Sequence, residues 1–265
     1  MKKAKQFILV SVILGGLFFL FGLEVIPENF QPQEILDIAA DSDVIIIFNS
    51  GGWGDTPFEK AEDFAPIVEG IRLTLNEWGY DSVVIPYQRT KNTLSGKIVS
   101  AKDFLNFFNS SSDTLAKDLE FLAENLPDKK IIVAGLSSGG AFVEKTMEKL
   151  SGEVRDSVYG IEAGVPFWHQ TLQSENILQL PERSEGWRRT NVLRLTNSGK
   201  DSLSAGEVKA LLFSLVKAPF RWIFSKINGQ NLPLALSFQA PGHEYLWDLP
   251  EVGPKIISFL EEKFR

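Results

Sequence analysis

The run Ile131-Ile132-Val133-Ala134 enters Gly135-Leu136-Ser137-Ser138-Gly139 and passes at once into a helical pattern over residues 141–150. An apolar, β-branched stretch of this length reads as a buried strand. A strand that turns directly into a helix belongs to a sheet covered by helices. The corner has the G-x-S-x-G form, in which a serine is presented at a tight strand-to-helix turn. Crowding at such a turn excludes side chains two positions before and two after the serine, and both are glycine here. Ser137 then stands at a helix N-terminus, where unpaired N–H groups and the helix dipole favour developing negative charge.

The same alternation runs through the rest of the chain. Strands are expected near 44–48, 82–86, 131–134, 157–161, 192–196 and 234–239, and helices near 57–77, 112–125, 139–151, 204–226 and 250–264. In the first helical pattern Phe64, Ile67, Ile71 and Leu75 recur at spacings of three and four, one face of a helix. The expected fold is α/β, a mostly parallel sheet of about six strands with helices on both faces. A length of 265 residues and a hydrophobic share of 44% suffice for one large domain with its own core.

A reactive serine needs a base, and the chain has two histidines, His169 and His243. His243 lies in Ala240-Pro241-Gly242-His243-Glu244-Tyr245, between the expected last strand and last helix, where a loop can hold an imidazole over the carboxyl edge of the sheet. His169, in Pro166-Phe167-Trp168-His169, reads as a structural or pocket-wall residue. An acid must orient the imidazole. Asp201 lies in the polar loop 197–202 after the strand-like Asn191–Thr196, which gives the chain order Ser…Asp…His. Asp201 also suits an ordinary N-cap ahead of a helix starting near Ser204.

From about residue 43 to the C-terminus the chain resembles the α/β-hydrolases. The resemblance rests on GLSSG, on NSGKD, on PGHEYLWDLPEV, and on Asn49-Ser50-Gly51-Gly52-Trp53-Gly54-Asp55 after the strand Val44–Phe48. It implies a reduced α/β-hydrolase fold with Ser137 as nucleophile, His243 as base and Asp201 as acid. Family members carry H-G-G or H-G-x-G at the first of these turns, where backbone N–H groups form half of an oxyanion hole. Asn49-Ser50 stands in this chain where a histidine is often found. The resemblance implies backbone donors from Gly52 or Trp53, with Ser138 as the second donor. Some lipases place the acid at the end of an earlier strand, which makes Glu162, after Ser157–Ile161, the alternative acid.

Composition narrows the partners. A net charge of −7 argues against nucleic acid, and zero cysteines exclude a thiol nucleophile and disulfides. Two distant histidines with no cysteine make a transition-metal site unexpected, and no cofactor motif is present. The N-terminus carries a second strong signal. Met1-Lys2-Lys3-Ala4-Lys5-Gln6 is a basic leader, and Phe7 to Leu23 is uncharged and overwhelmingly apolar. As a helix this run spans about 25 Å, the short edge of what crosses a bilayer. A cleaved signal peptide would need a small-x-small site, whereas Leu23-Glu24-Val25-Ile26-Pro27-Glu28 follows.

Residues 1–26 are therefore expected to be a cytoplasmic leader and transmembrane signal anchor, 27–42 a linker with a short helix, and 43–265 the catalytic domain. Lysines before the span place that domain outside the cytoplasm, on a single-pass cell-membrane protein. Residues 206–226 (GEVKALLFSLVKAPFRWIFSK) suit either a sheet-packing helix or a lid at the membrane surface. The expected activity is hydrolysis of a small-molecule or lipid-like carboxylic ester through an acyl-enzyme on Ser137. An acyltransferase or a serine peptidase would use the same residues. A catalytically inactive binding module is the alternative from another class. Composition does not address oligomeric state.

Overall fold

In the computed structural model, which describes residues 30–165, 172, 174–180 and 245–265, the sheet is built on strand β1 (Val44–Asn49), every residue of which is buried. A continuous apolar run of this kind is what a strand covered on both faces requires. β1 pairs on one side with β2 (Ser82–Tyr87) and on the other with β3 (Lys130–Leu136). Beyond β3 come β4 (Val158–Ala163) and β5 (Ile177–Leu180), giving the order β2-β1-β3-β4-β5 with every pairing parallel. All described elements belong to one unit of the chain, completed by Tyr245–Arg265.

Helices cover both faces, as expected. On one face lie α2 (Ala65–Glu77) and the C-terminal α7 (Gly253–Phe264), which bury Ile67, Ile71, Leu75, Ile256 and Leu260 against Ile46, Ile132 and Ile161. On the other lie α1 (Pro32–Ile38), α4 (Asn109–Asn125) and α5 (Ser138–Lys149), whose Ile35, Leu115, Leu119, Phe142 and Met147 meet Ile45, Ile47 and Val133. Each such side chain contributes about 1.5–3 kcal/mol when fully buried. The spacing of three and four read in the sequence lies on the buried face of α2, and Phe64, which caps it, is buried too. The helix stops at Trp78 because Gly79 adopts φ +88°, and Tyr80 N–H closes back on the Leu75 carbonyl at 3.0 Å.

Several boundaries differ from expectation. The stretch expected as a helix from 57 begins instead with a short 3-10 turn, Phe58–Lys60, and α2 starts at Ala65. Helix α3 (Leu94–Leu105), capped by Thr93 Oγ1 accepting from Gly96 N–H at 3.0 Å, was not expected. Neither were α6 (Gly152–Arg155) nor β5, only four residues long. The sheet has five described strands; the expected strands near 192–196 and 234–239, with the 206–226 segment, lie outside the described residues. Within the expected linker, α1 packs into the core through Ile35, flanked by buried Phe30 and Ala39. Among the described residues no helix is long and apolar enough to cross a membrane, and residues 1–26 lie outside them.

Candidate active site

Between β3 and α5 the chain turns through a single residue. Ser137 has φ 55° and ψ −117°, a left-handed conformation costly for a side chain with a Cβ. Neighbouring backbone holds it there. Its N–H donates to the Ala163 carbonyl at the end of β4 at 2.7 Å, and its carbonyl accepts from Ala141 N–H at 3.1 Å inside α5. From Ile131 to Glu144 Ser137 alone is partly open to solvent.

The flanking glycines have the role that crowding predicts. A Cβ on Gly135 would lie 2.4 Å from the Gly139 carbonyl oxygen, and one on Gly139 would lie 2.6 Å from the Asn49 carbonyl oxygen. Both obstacles are backbone, which cannot swing aside. The loop after β1 is equally close: a Cβ on Gly51 would stand 3.6 Å from Ser137 Cβ and 3.1 Å from the Leu136 carbonyl oxygen. Gly52 adopts φ 59° and has open space where a side chain would be.

The loop 49–54 is tied down from several sides. Gly54 N–H closes a turn on the Gly51 carbonyl at 3.1 Å. The Trp53 carbonyl accepts from Thr90 Oγ1 and from Ser100 Oγ, each at 2.8 Å. Ser138 Oγ donates to the Gly52 carbonyl at 2.7 Å. Arg89, just past β2 and 1% exposed, donates through Nη2 to the Ser50 carbonyl at 3.2 Å and to Ser138 Oγ at 3.1 Å. Its guanidinium lies 4.9 Å from the Phe108 ring centroid and 5.2 Å from that of Phe142. Burial pushes its pKa down to about 10, while Asp103, Tyr87 and Asp55 act to hold its proton. Arg89 therefore stays cationic at neutral pH.

Ser137, Ser138, Gly52 and Trp53 are thus gathered around the carboxyl ends of β1 and β3. Glu162 has other surroundings. It shares a face of β4 with Gly160, where an added Cβ would touch Met147 and Val143 of α5, and it sits beside Gly135 in the register. Its carboxyl is fully buried, and neither oxygen has a hydrogen-bond partner among the described residues. Burial raises its pKa well above the usual value, and Glu144 and Glu148 of α5 raise it further. Both effects favour the neutral acid, whereas a group that stabilises an imidazolium must be ionised. His243, Asp201 and His169 lie outside the described residues.

Sequence reading missed Arg89, Thr90 and Ser100. Gln88-Arg89-Thr90 looks like any polar loop after a strand, and nothing local marks the arginine as buried. The usable signal was indirect, since β2 neighbours β1 and so ends beside the glycine loop. Among the described residues no cluster of histidine, aspartate and glutamate is arranged to hold a metal ion.

No family model matches the chain, and no curated protein matches it in sequence. Solved structures similar to it include a Trichoderma reesei cutinase in complex with a phosphonate inhibitor, at 13% identity and a TM-score of 0.40, over 56% of this chain and 68% of that one. A cutinase-like protein from Cryptococcus sp. aligns at 16% identity and a TM-score of 0.34, over 47% of this chain and 54% of its own. An acetylxylan esterase aligns at 14% identity and a TM-score of 0.39, over 52% of this chain and 82% of its own.

Proposed function

We propose that the protein is a serine hydrolase that cleaves carboxylic esters through an acyl-enzyme on Ser137. The observation that carries this reading is the conformation of Ser137: a partly exposed serine at φ 55° between a parallel strand and a helix, with backbone pressed against both flanking glycines. Strain of this kind persists where surrounding structure imposes it, and it presents a hydroxyl at a helix N-terminus. Ser137 Oγ attacks the ester carbonyl carbon and its proton passes to His243, with Asp201 orienting the imidazole. The tetrahedral oxyanion is held by backbone N–H groups of Ser138 and of Gly52 or Trp53. His243 then protonates the leaving alcohol, and water attacks the acyl-enzyme to release the acid.

Residues 1–26 anchor this domain to the membrane in the same proposal, with the domain on the extracytoplasmic side. The support is the basic leader ahead of the apolar run Phe7–Leu23. Attachment to a bilayer suits an apolar or lipid-like ester. The test is labelling with a fluorophosphonate probe, together with turnover of p-nitrophenyl esters of graded chain length. Wild-type protein should be labelled and active and Ser137→Ala neither; a folded wild type inert to both would overturn the reading.

A further inference from the structure

Arg89 places a positive charge in the interior immediately behind the loop 49–54, where a neutral side chain would fill the space at far lower desolvation cost. Among the described residues its Nε and Nη1 have no hydrogen-bond partner, so the arginine is not there to saturate its own donors. Its Nη2 donates to two acceptors, and both lead to the loop: the Ser50 carbonyl directly, and the Gly52 carbonyl through Ser138 Oγ. Loop and arginine are fitted to each other. A Cβ on Gly54 would stand 2.6 Å from Arg89 Nε, and Arg89 N–H donates to the Gly54 carbonyl at 2.9 Å.

We propose that Arg89 is a positioning residue for the oxyanion donors, acting through the hydroxyl of Ser138 on the Gly52–Trp53 peptide, whose N–H is that of Trp53, and fixing the start of the loop through the Ser50 carbonyl. The inference rests on the serine hydrolase reading and deepens it. A hydrogen bond to a peptide carbonyl polarises that peptide and strengthens the N–H on its other side. A cation at the head of the chain makes each link stronger than a neutral donor would. Fixed peptide planes also spare reorientation when negative charge develops, which is where such donors have most of their effect. The cation is kept by the faces of Phe108 and Phe142 and by the fields of Asp103 and Asp55. Ser138 thus acts through its side chain as well as its backbone.

The experiment compares full-length wild type with Ser138→Ala, Arg89→Met and the double variant. Readouts are kcat and KM on p-nitrophenyl butyrate, normalised to sites titrated with the fluorophosphonate probe, beside circular dichroism and thermal melts. Each single variant should lose about 10–100-fold in kcat, somewhat less than removal of an oxyanion donor itself. KM should move less than about threefold. The double should lose no more than the worse single, because both substitutions break one relay. A merely structural role would lower Tm or the titrated fraction and leave kcat per site unchanged, and that result overturns the inference, as do losses that multiply in the double. If Arg89→Met fails to fold, Ser138→Ala, which removes one hydroxyl, decides by the same criterion. A wild type inert to probe and ester overturns the hydrolase reading together with this one; an active wild type with unaffected variants overturns the relay alone.

Discussion

Arg89 follows β2 and Glu162 lies within β4, both buried, yet they carry opposite solutions to the same problem. The guanidinium has two oxygen acceptors, two aromatic faces and the opposite charges of Asp103 and Asp55 around it. It keeps its charge. The Glu162 carboxyl has no hydrogen-bond partner among the described residues and feels the fields of Glu144 and Glu148, so protonation would remove the charge that burial penalises. Where the chain must hold a loop of exposed peptide groups in place, a buried charge is retained and directed. On β4, burial and the neighbouring carboxylates favour the neutral acid. In the proposed reading the chemistry lies at the carboxyl ends of β1 and β3, and Glu162 is expected to support them from β4.

The largest test of that division is Ser137→Ala. It should lower ester turnover by about 10⁴-fold or more with the melting curve intact. A well-folded variant with near-wild-type kcat would move the chemistry elsewhere. Next comes the acid. Asp201→Asn should cut kcat by about 10³–10⁴-fold. Glu162→Gln, which keeps the shape and is neutral at every pH, should stay within about twofold. Reversed results would make Glu162 the ionised partner of the imidazole and dissolve the contrast.

Stability sharpens the comparison further. Gly139→Ala forces a Cβ against the Asn49 and Ser50 carbonyl oxygens at 2.6 and 2.7 Å. It should lower stability by about 1–3 kcal/mol and kcat with it, by urea unfolding and ester assay. Gly152→Ala, with nothing within 4 Å of its Cβ, is the control expected to do little.

A smaller effect concerns pH. Because the folded-state pKa of Glu162 is raised above 4.5, the native state binds more protons than the unfolded one between those two values. Its contribution is therefore fully present below about pH 4.5 and is lost as pH rises through the raised pKa. Glu162→Gln should lose less stability than wild type between pH 4 and pH 8. An unchanged slope would mean that the native carboxyl is ionised. The smallest change in turnover is expected from deleting residues 1–26, which supply none of the proposed site residues. Activity should stay within about twofold while the chain moves from the membrane to the soluble fraction, and loss of activity would tie the leader to the site.

Much of this was legible in the residues themselves. The runs at 44–48, 82–86, 131–134 and 157–161 coincide with β1 to β4 to within a residue or two. Strand β5 was not, since Ile177-Leu178-Gln179-Leu180 is too short to carry a period and becomes a strand only because β4 offers it an edge. Helix α3 also lacks a clean apolar stripe and depends on its Thr93 cap.

The residues by themselves determined whatever depends on neighbours in sequence. A serine with glycines two positions to either side, where a strand gives way to a helix, marks the corner, although several of the carbonyls that hold it, those of Ala163, Asn49 and Ser50, come from β4 and the end of β1. The alternating apolar runs likewise committed the chain to a parallel sheet sandwiched by helices. Tertiary structure alone decided the fate of Arg89, Ser138 and Glu162. The partners of Arg89 lie 39 and 49 positions away, and Glu162 meets two carboxylates from a helix on another part of the chain. Whether a buried charge is kept or given up depends on which groups face it, and those faces exist only once the strands have paired.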